Sequence, residues 1–204
     1  MNYKCSFCIL SFNNKYQIIR MVKQLLSSDR NDIQIVVSDN ASTDGTVEEL
    51  RSFNDSRLKL SVNLQNIGFQ KNMFKALSEG DGEYLYLSMG RDLLNVSNVD
   101  RLIYLLHIAS QKGIDVLQDR RTVNDIDIFE GFDAVCELLK PIHATGWIFR
   151  KDALRLDDAA ASADLKSIYP ELYIVKSMLA RNTRGAYICR RLYKGRICYK
   201  DGIL

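Results

Sequence analysis

Apolar residues along the chain fall into two alternating kinds of stretch. Short unbroken runs, Tyr3 to Ser11, Ile33 to Ser38 and Tyr84 to Leu87, stop abruptly in polar residues and predict buried strands. Between them, apolar positions recur at helical spacing. Ile18, Ile19, Val22, Leu25 and Leu26 do so within Lys15 to Leu26, Val47, Leu50 and Phe53 after Thr46, and a Leu/Ile face from Val99 to Gln111. Leu58 to Val62 alternates as a strand, Phe69 to Ser78 predicts a helix stopped by Gly80 and Gly82, and Asp115 to Leu117 predicts a short strand. This βαβαβαβ alternation predicts an α/β fold, a mostly parallel sheet with helices on both faces. After Asp119 the pattern weakens. Ile126–Phe129 and Gly146–Arg150 read as short strands, Asp133–Leu139 and Leu172–Leu179 as helices. The expected organisation is one continuous domain with a first half, 1–120, and a smaller second half, 121–204.

Composition narrows the class. A chain of 204 residues can bury a substantial core, and a 47% apolar content without low-complexity runs excludes disorder. No apolar run reaches the roughly 20 residues that span a bilayer. The start, Met1 to Phe12, has no small-residue cleavage site and reads as a first strand rather than a secretory signal. Cys5, Cys8, Cys136, Cys189 and Cys198 are an odd, scattered set. The C-x-x-C pair Cys5/Cys8 lies inside a predicted strand, so buried thiols in a reducing cytoplasm are expected, not zinc or redox chemistry.

The net charge of +3 is unevenly spread. Arg181, Arg184, Arg190, Arg191, Lys194, Arg196 and Lys200 stand against Asp201 alone, so the tail carries about +6 and the rest is slightly acidic. A solvated surface, an anionic membrane face and a polyphosphate ligand all fit such a tail. Basic residues do not alternate with aromatics outside it, which argues against nucleic acid.

One stretch organises the rest. Ile33–Thr46 passes from branched apolar residues into Ser38-Asp39-Asn40-Ala41-Ser42-Thr43-Asp44-Gly45-Thr46, and a helix starts near Thr46. Asp39 therefore stands at the carboxyl end of a buried strand, the edge of an open α/β sheet where ligands bind. Asp44 is sufficiently explained as a cap of the turn and the helix.

Three more fragments stand at strand ends in the same order: Ser11-Phe12-Asn13-Asn14, Asn66-Ile67-Gly68-Phe69-Gln70-Lys71-Asn72, and Gly82-Glu83 through Ser88-Met89-Gly90-Arg91-Asp92. Together the four resemble family-two glycosyltransferases of the GT-A fold, in particular the bacterial branch that builds cell-envelope polysaccharides. The resemblance covers roughly the first hundred residues. It implies a nucleoside-diphosphate sugar as donor, UDP-linked by preference. Ser11, Phe12 and Asn13 would lie against base and ribose, and Asp39 would accept a hydrogen bond from the base. Lys71 and Asn72 would reach base or phosphate, while Gly90, Arg91 and Asp92 occupy the place of an acidic Asp-x-Asp motif.

Here the chain departs from the family, because Gly90 replaces the first carboxylate. A leaving nucleoside diphosphate gathers negative charge that a hard cation offsets. Three readings stand: Asp92 alone holds a magnesium or manganese ion, Arg91 replaces the cation as a bidentate donor, or the site is non-catalytic and the chain a nucleotide-binding subunit.

In the second half, His143 to Arg150 resembles the acceptor-side strand. Trp147 would stack on an acceptor sugar or belong to the core. An inverting transferase needs a carboxylate base. The resemblance places it before a late helix, where Glu171 is the candidate, with Asp164, Asp157 and Asp158 behind it. The acceptor would be a saccharide or a polyprenyl-linked saccharide, met in the cytoplasm by an enzyme resting peripherally on the inner membrane through its basic tail.

Overall fold

The four strands expected from the first hundred residues lie side by side and run the same way. The computed structural model describes residues 3–90, 92–119, 125–138, 145–157, 170–180, 184–188 and 193–196. Strands β1 (Cys5–Ser11), β2 (Ile33–Asp39), β3 (Leu58–Val62) and β4 (Tyr84–Met89) pair in parallel in the order β3-β2-β1-β4. Every residue of β1 and β2 is buried, as a strand covered on both faces requires. The register sets Ser11 opposite Asp39 and Leu10 opposite Met89, so the polar ends of these strands share one edge.

The sheet continues through the second half. Beyond β4 come β8 (Trp147–Arg150), β6 (Ile114–Asp119), β9 (Arg184–Ile188) and β7 (Ile126–Phe129), completing an eight-stranded sheet. The antiparallel pairs involve β8 and β7, while β9 pairs parallel with β6, so this half is mixed where the first is parallel. A register shift after Ile114 inserts Asp115 as a bulge in β6. A separate two-stranded ribbon joins β5 (Asp92–Leu94) to β10 (Tyr193–Arg196), antiparallel.

Helices cover both faces, each through its own core. On one side α1 (Lys15–Leu26), α2 (Thr46–Arg51) and α4 (Val99–Gln111) pack Ile18, Val22, Leu25, Leu50, Leu102 and Leu106 against Phe7, Ile9, Ile35 and Tyr86. On the other, α3 (Phe69–Ser78), α5 (Gly131–Leu138) and α6 (Glu171–Leu179) pack Met73, Leu77, Leu138, Ile174 and Met178 against Cys8, Leu10, Leu87, Trp147 and Phe149. Phe7 and Ile9 face one way and Cys8 and Leu10 the other, the period-two alternation of a strand used on both sides. Cys5 and Cys8 are free and buried, and burial raises both thiols well above the usual range. No helix among the described residues is long and apolar enough to cross a membrane.

The basic carboxyl-terminal stretch is in part woven into this framework. β9 lies inside the sheet, and Arg184 at its start bonds Glu130 at 2.9 Å and the Lys112 carbonyl at 2.9 Å. Arg181, Arg190, Arg191 and Lys200 lie outside the described residues.

Candidate active site

The chain runs from β1 through α1 to β2 and through α2 to β3, then returns to β4 on the other flank of β1. The turns after β1 and β4 therefore diverge, the arrangement that opens a ligand crevice at a sheet's carboxyl edge. A crevice of about 380 Å³ lies there. Ser11, Phe12 and Asn14 line it from the end of β1, Asn40 from the turn after β2, Asn66, Gly68, Phe69 and Asn72 from the start of α3, and Met89 and Gly90 from the end of β4. The fragments quoted from the sequence thus meet in one place. Phe12 and Phe69 keep 47% and 39% of their surface exposed, enough to offer apolar faces to a planar ligand.

Asp39 does not line the crevice; it holds the crevice together. Its carboxylate is fully buried. One oxygen accepts from the hydroxyls of Ser11 at 2.9 Å and Ser42 at 2.7 Å, and the other accepts the Ser42 N–H at 2.8 Å. Those bonds tie the end of β1 to the turn after β2. Further bonds zip the same two loops. Asn13 N–H donates to Ser42 Oγ at 2.9 Å, Thr43 N–H to Asn13 Oδ1 at 2.8 Å, and Lys15 N–H to Asp44 at 2.9 Å. Asp44 also accepts the Thr46 N–H at 3.1 Å, which closes the turn ahead of α2, while the N-cap position of that helix falls to Gly45 and not to Asp44. Asn13 and Ala41 adopt positive φ of 46° and 64°, so backbone strain sits in these two loops.

A second network fixes the opposite wall. Asn72 is buried with its amide spent inside the protein: Nδ2 donates to the Ser38 carbonyl at 3.0 Å, and Oδ1 accepts from Ser38 Oγ at 2.8 Å and Asn63 Nδ2 at 2.9 Å. Asn63 Nδ2 also lies 3.0 Å from Asn40 Oδ1, and Asn40 Nδ2 donates to Asn66 Oδ1 at 2.7 Å. Asn72 is thus placed to shape the wall, Lys71 is exposed outside the lining, and Asn14, Asn40 and Asn66 are crevice residues that motif reading passed over. Their recurrence at the ends of strands was the available signal.

Gly90 stands where the family resemblance leads one to expect a first carboxylate. A Cβ there would stand 2.2 Å from Ile18 Cδ1, 2.4 Å from the Leu10 carbonyl oxygen and 2.8 Å from Asn14 Nδ2. Its N–H donates to that same Leu10 oxygen at 2.9 Å, and Thr145 Oγ1 accepts the Met89 N–H at 2.9 Å, so the turn is pinned from both sides. The space of a first carboxylate is filled by this chain's own packing. Asp92 opens β5, in register with Arg196 of β10, while Arg91 lies outside the described residues. No group of three or more metal-ligating side chains occurs among the described residues. A single carboxylate fits a cation that takes its other oxygens from water and phosphate.

Trp147 is wholly buried, its ring 6.2 Å from Phe149 and stacked on it, so its faces are spent in the second core. Glu171 opens α6 with 1% of its surface exposed, and neither oxygen has a hydrogen-bond partner among the described residues. Burial pushes its pKa up to about 7. Asp157 is exposed, and Asp158 and Asp164 lie outside the described residues. A larger depression, about 570 Å³, runs along α1 beside Glu49. Two of its cations face one carboxylate, Glu49 lying 3.2 Å from Lys15 and 3.7 Å from Lys23.

Residues 6–93 match the family model for glycosyl transferase family 2. The fold overlays on Staphylococcus aureus TarS 1–349 in complex with UDP at a TM-score of 0.71 and 21% identity, over 93% of this chain and 59% of TarS. Residues 6–93 thus carry the sequence signature of glycosyl transferase family 2, and the fold is similar to that of TarS. Among curated proteins, this chain is 28% identical over 126 residues to the abequosyltransferase RfbV of Salmonella typhimurium, 59% of its own length and 37% of the relative's. The mannosyltransferase PcManGT of Pyrobaculum calidifontis, in complex with GDP-Man and Mn2+, matches at a TM-score of 0.67 and 15% identity over 98% of this chain and 59% of that one. The chain spans little more than a third of RfbV and about three fifths of the two structural neighbours.

Proposed function

We propose that this chain transfers a sugar from a nucleoside-diphosphate donor, UDP-linked, to a saccharide or lipid-linked acceptor with inversion, in the synthesis of a surface polysaccharide or glycolipid. The observation that carries this reading is the crevice between the carboxyl ends of β1 and β4, where every fragment of the family resemblance converges. That similar folds have been solved as TarS in complex with UDP and PcManGT in complex with GDP-Man and Mn2+ supports this donor class.

In this reading Phe12 and Phe69 flank the base, and Asn14, Asn40 and Asn66 offer donors and acceptors to base and ribose. Asp39 acts by positioning, since the Ser11 and Ser42 bonds set the geometry of both loops. Glu171 is the base. It takes the acceptor hydroxyl's proton while the oxygen bonds the anomeric carbon from the face opposite the diphosphate, which leaves with the bonding pair. A pKa near 7 keeps this carboxylate partly ionised at neutral pH and close to optimal for proton transfer. A divalent cation held by Asp92 would offset the charge of the leaving diphosphate.

One observation favours a second reading, a nucleotide-binding but non-catalytic subunit: the packing at Gly90 leaves no room for the family's first carboxylate. A calorimetric panel of UDP, GDP, CDP and dTDP, with and without manganese, followed by a donor-turnover assay, separates the two. Manganese-dependent binding of one nucleotide with turnover supports the transferase. Binding without turnover under any metal supports the subunit, and no binding at all removes both.

A further inference from the structure

Lys75 stands in the last turn of α3, half-buried, and is not among the residues that line the crevice. Among the described residues no carboxylate pairs with it. Its ammonium donates instead to Asn63 Oδ1 at 2.7 Å. Asn63 keeps only 7% of its surface exposed, so a cation is spent on a buried neutral amide. Such an arrangement calls for an explanation, and the amide's other bonds supply one.

The bond has a sense, and the sense is passed on. A lysine only donates, so the Asn63 oxygen must face it and the Asn63 nitrogen must face away. That nitrogen donates to Asn40 Oδ1 at 3.0 Å and to Asn72 Oδ1 at 2.9 Å. With its oxygen engaged, Asn40 turns its own nitrogen to Asn66 Oδ1 at 2.7 Å. Asn63, Asn40 and Asn66 thus run head to tail from the ammonium to the crevice, each donating to the next. Backbone groups hold the same sense, the Ile67 N–H donating to Asn40 Oδ1 at 2.9 Å and the Gly68 N–H to Asn66 Oδ1 at 2.8 Å. Hydrogen bonds in such a chain polarise one another, and a charged donor at its head strengthens the series.

The far end of the chain opens on the ligand side. Asn66 lines the crevice, and its oxygen already accepts two bonds, while Nδ2 has no partner among the described residues. What Asn66 offers a ligand is therefore an N–H and not an oxygen. Among the described residues no charged side chain lines the crevice, so no neighbouring ion overrides that polarity. A donor of fixed sense discriminates between ring edges. It bonds a carbonyl, whereas an exocyclic amine would meet it donor against donor.

Resting on the reading of the crevice as a nucleotide site, we propose that Lys75 is a positioning residue for nucleotide choice. By fixing the sense of the amide chain it makes Asn66 a donor, and the crevice then takes a base with a carbonyl where cytosine carries its amine. Lys75 acts through Asn63 and Asn40 and touches no ligand itself.

UDP and CDP share ribose and diphosphate, so the ratio of their affinities reports the base edge alone. The full chain, Lys75→Met, Lys75→Arg and Asn66→Asp are titrated calorimetrically with each. Wild type is expected to prefer UDP by about tenfold, the worth of one hydrogen bond made against a donor left unmet. Lys75→Met removes the head of the chain and frees the Asn63 amide to turn over. The preference should fall about threefold in that variant and return in Lys75→Arg, which still donates. Asn66→Asp keeps the bonds from Asn40 and Gly68 but turns an oxygen toward the crevice, so the order should reverse and CDP bind more tightly. The added carboxylate repels both diphosphates alike and drops out of the ratio. If Lys75 only braces the fold, Lys75→Met weakens both nucleotides by one factor and the ratio holds, which overturns the proposal. A wild type that binds UDP and CDP equally overturns it as well, and in both cases the crevice reading stands. A wild type that binds neither nucleotide ends the crevice reading and the proposal together.

Discussion

Glu171→Gln isolates the cost of a buried carboxylate that faces no cation among the described residues and for which burial outweighs its own backbone N–H. The wild-type group titrates near 7 in the folded chain, against a reference of 4.5. Between those values the native state binds more protons than the unfolded one, so native stability falls as pH rises through this window and the loss is complete above about pH 7. A shift of this size corresponds to about 3 kcal/mol of pH-dependent stability. For a chain of this size, that is a melting-temperature difference of about 6–12 °C. Glutamine has nearly the same shape and does not titrate. Urea unfolding of both proteins at half-unit steps from pH 4.5 to 8 gives the difference in stability, which should move in the variant's favour by about 3 kcal/mol across the series. The amide's own desolvation displaces the whole curve by a constant and leaves its shape alone. A difference that stays flat within about 0.5 kcal/mol over the series would refute the reasoning, because the carboxyl would then be solvated or paired.

Further predictions follow from the same geometry. Asp39→Ala should lower stability by about 1–3 kcal/mol by releasing the Ser11 and Ser42 donors, and should weaken UDP binding about tenfold or more in a calorimetric titration. UDP binding at wild-type strength would mean the two loops keep their geometry without it. Gly90→Ala should cost about 1–3 kcal/mol in denaturant unfolding, because the Leu10 carbonyl belongs to a central strand and cannot move aside. Gly90→Asp, restoring the family's missing acid, should bring no manganese-dependent gain in UDP affinity; a gain would show that the turn can open. If Glu171 is the base, the rate of transfer should rise with pH through about 7, and Glu171→Gln should flatten that rise along with most of the activity.

The parts of the fold that were legible in advance share one property: their pattern is local. Cys5–Ser11 and Ile33–Asp39 are buried on both faces, so their apolar runs are continuous and end sharply at the residues that line or brace the crevice. α1 and α4 declare themselves by their buried stripes. Other elements depend on partners far away in the chain. β9 carries a charged residue and a glycine within five residues and reads as surface until β6 and β7 flank it. The β5–β10 ribbon pairs Asp92 with Arg196, about a hundred positions apart, which no local pattern encodes.

The site divides in the same way. The missing carboxylate at Gly90 was visible as a letter, but the Ile18 side chain that fills its place was not. Asp39 was visible as a carboxylate at a strand end, but its burial behind Ser11 and Ser42 is a consequence of how two loops close. Trp147 was equally compatible with a sugar platform or a core, and only the stacking of β8 against the α3 layer assigns its faces to the core.

The central claim is that the crevice between the ends of β1 and β4 holds a nucleoside diphosphate. Backbone amide shifts recorded during a titration with UDP test it most directly. The account predicts that shifts concentrate at Phe12, Asn14, Asn40, Gly68 and Gly90, with the outer face of α1 unchanged. Shifts confined to the Lys15–Lys23 surface, or none at millimolar UDP, would contradict it.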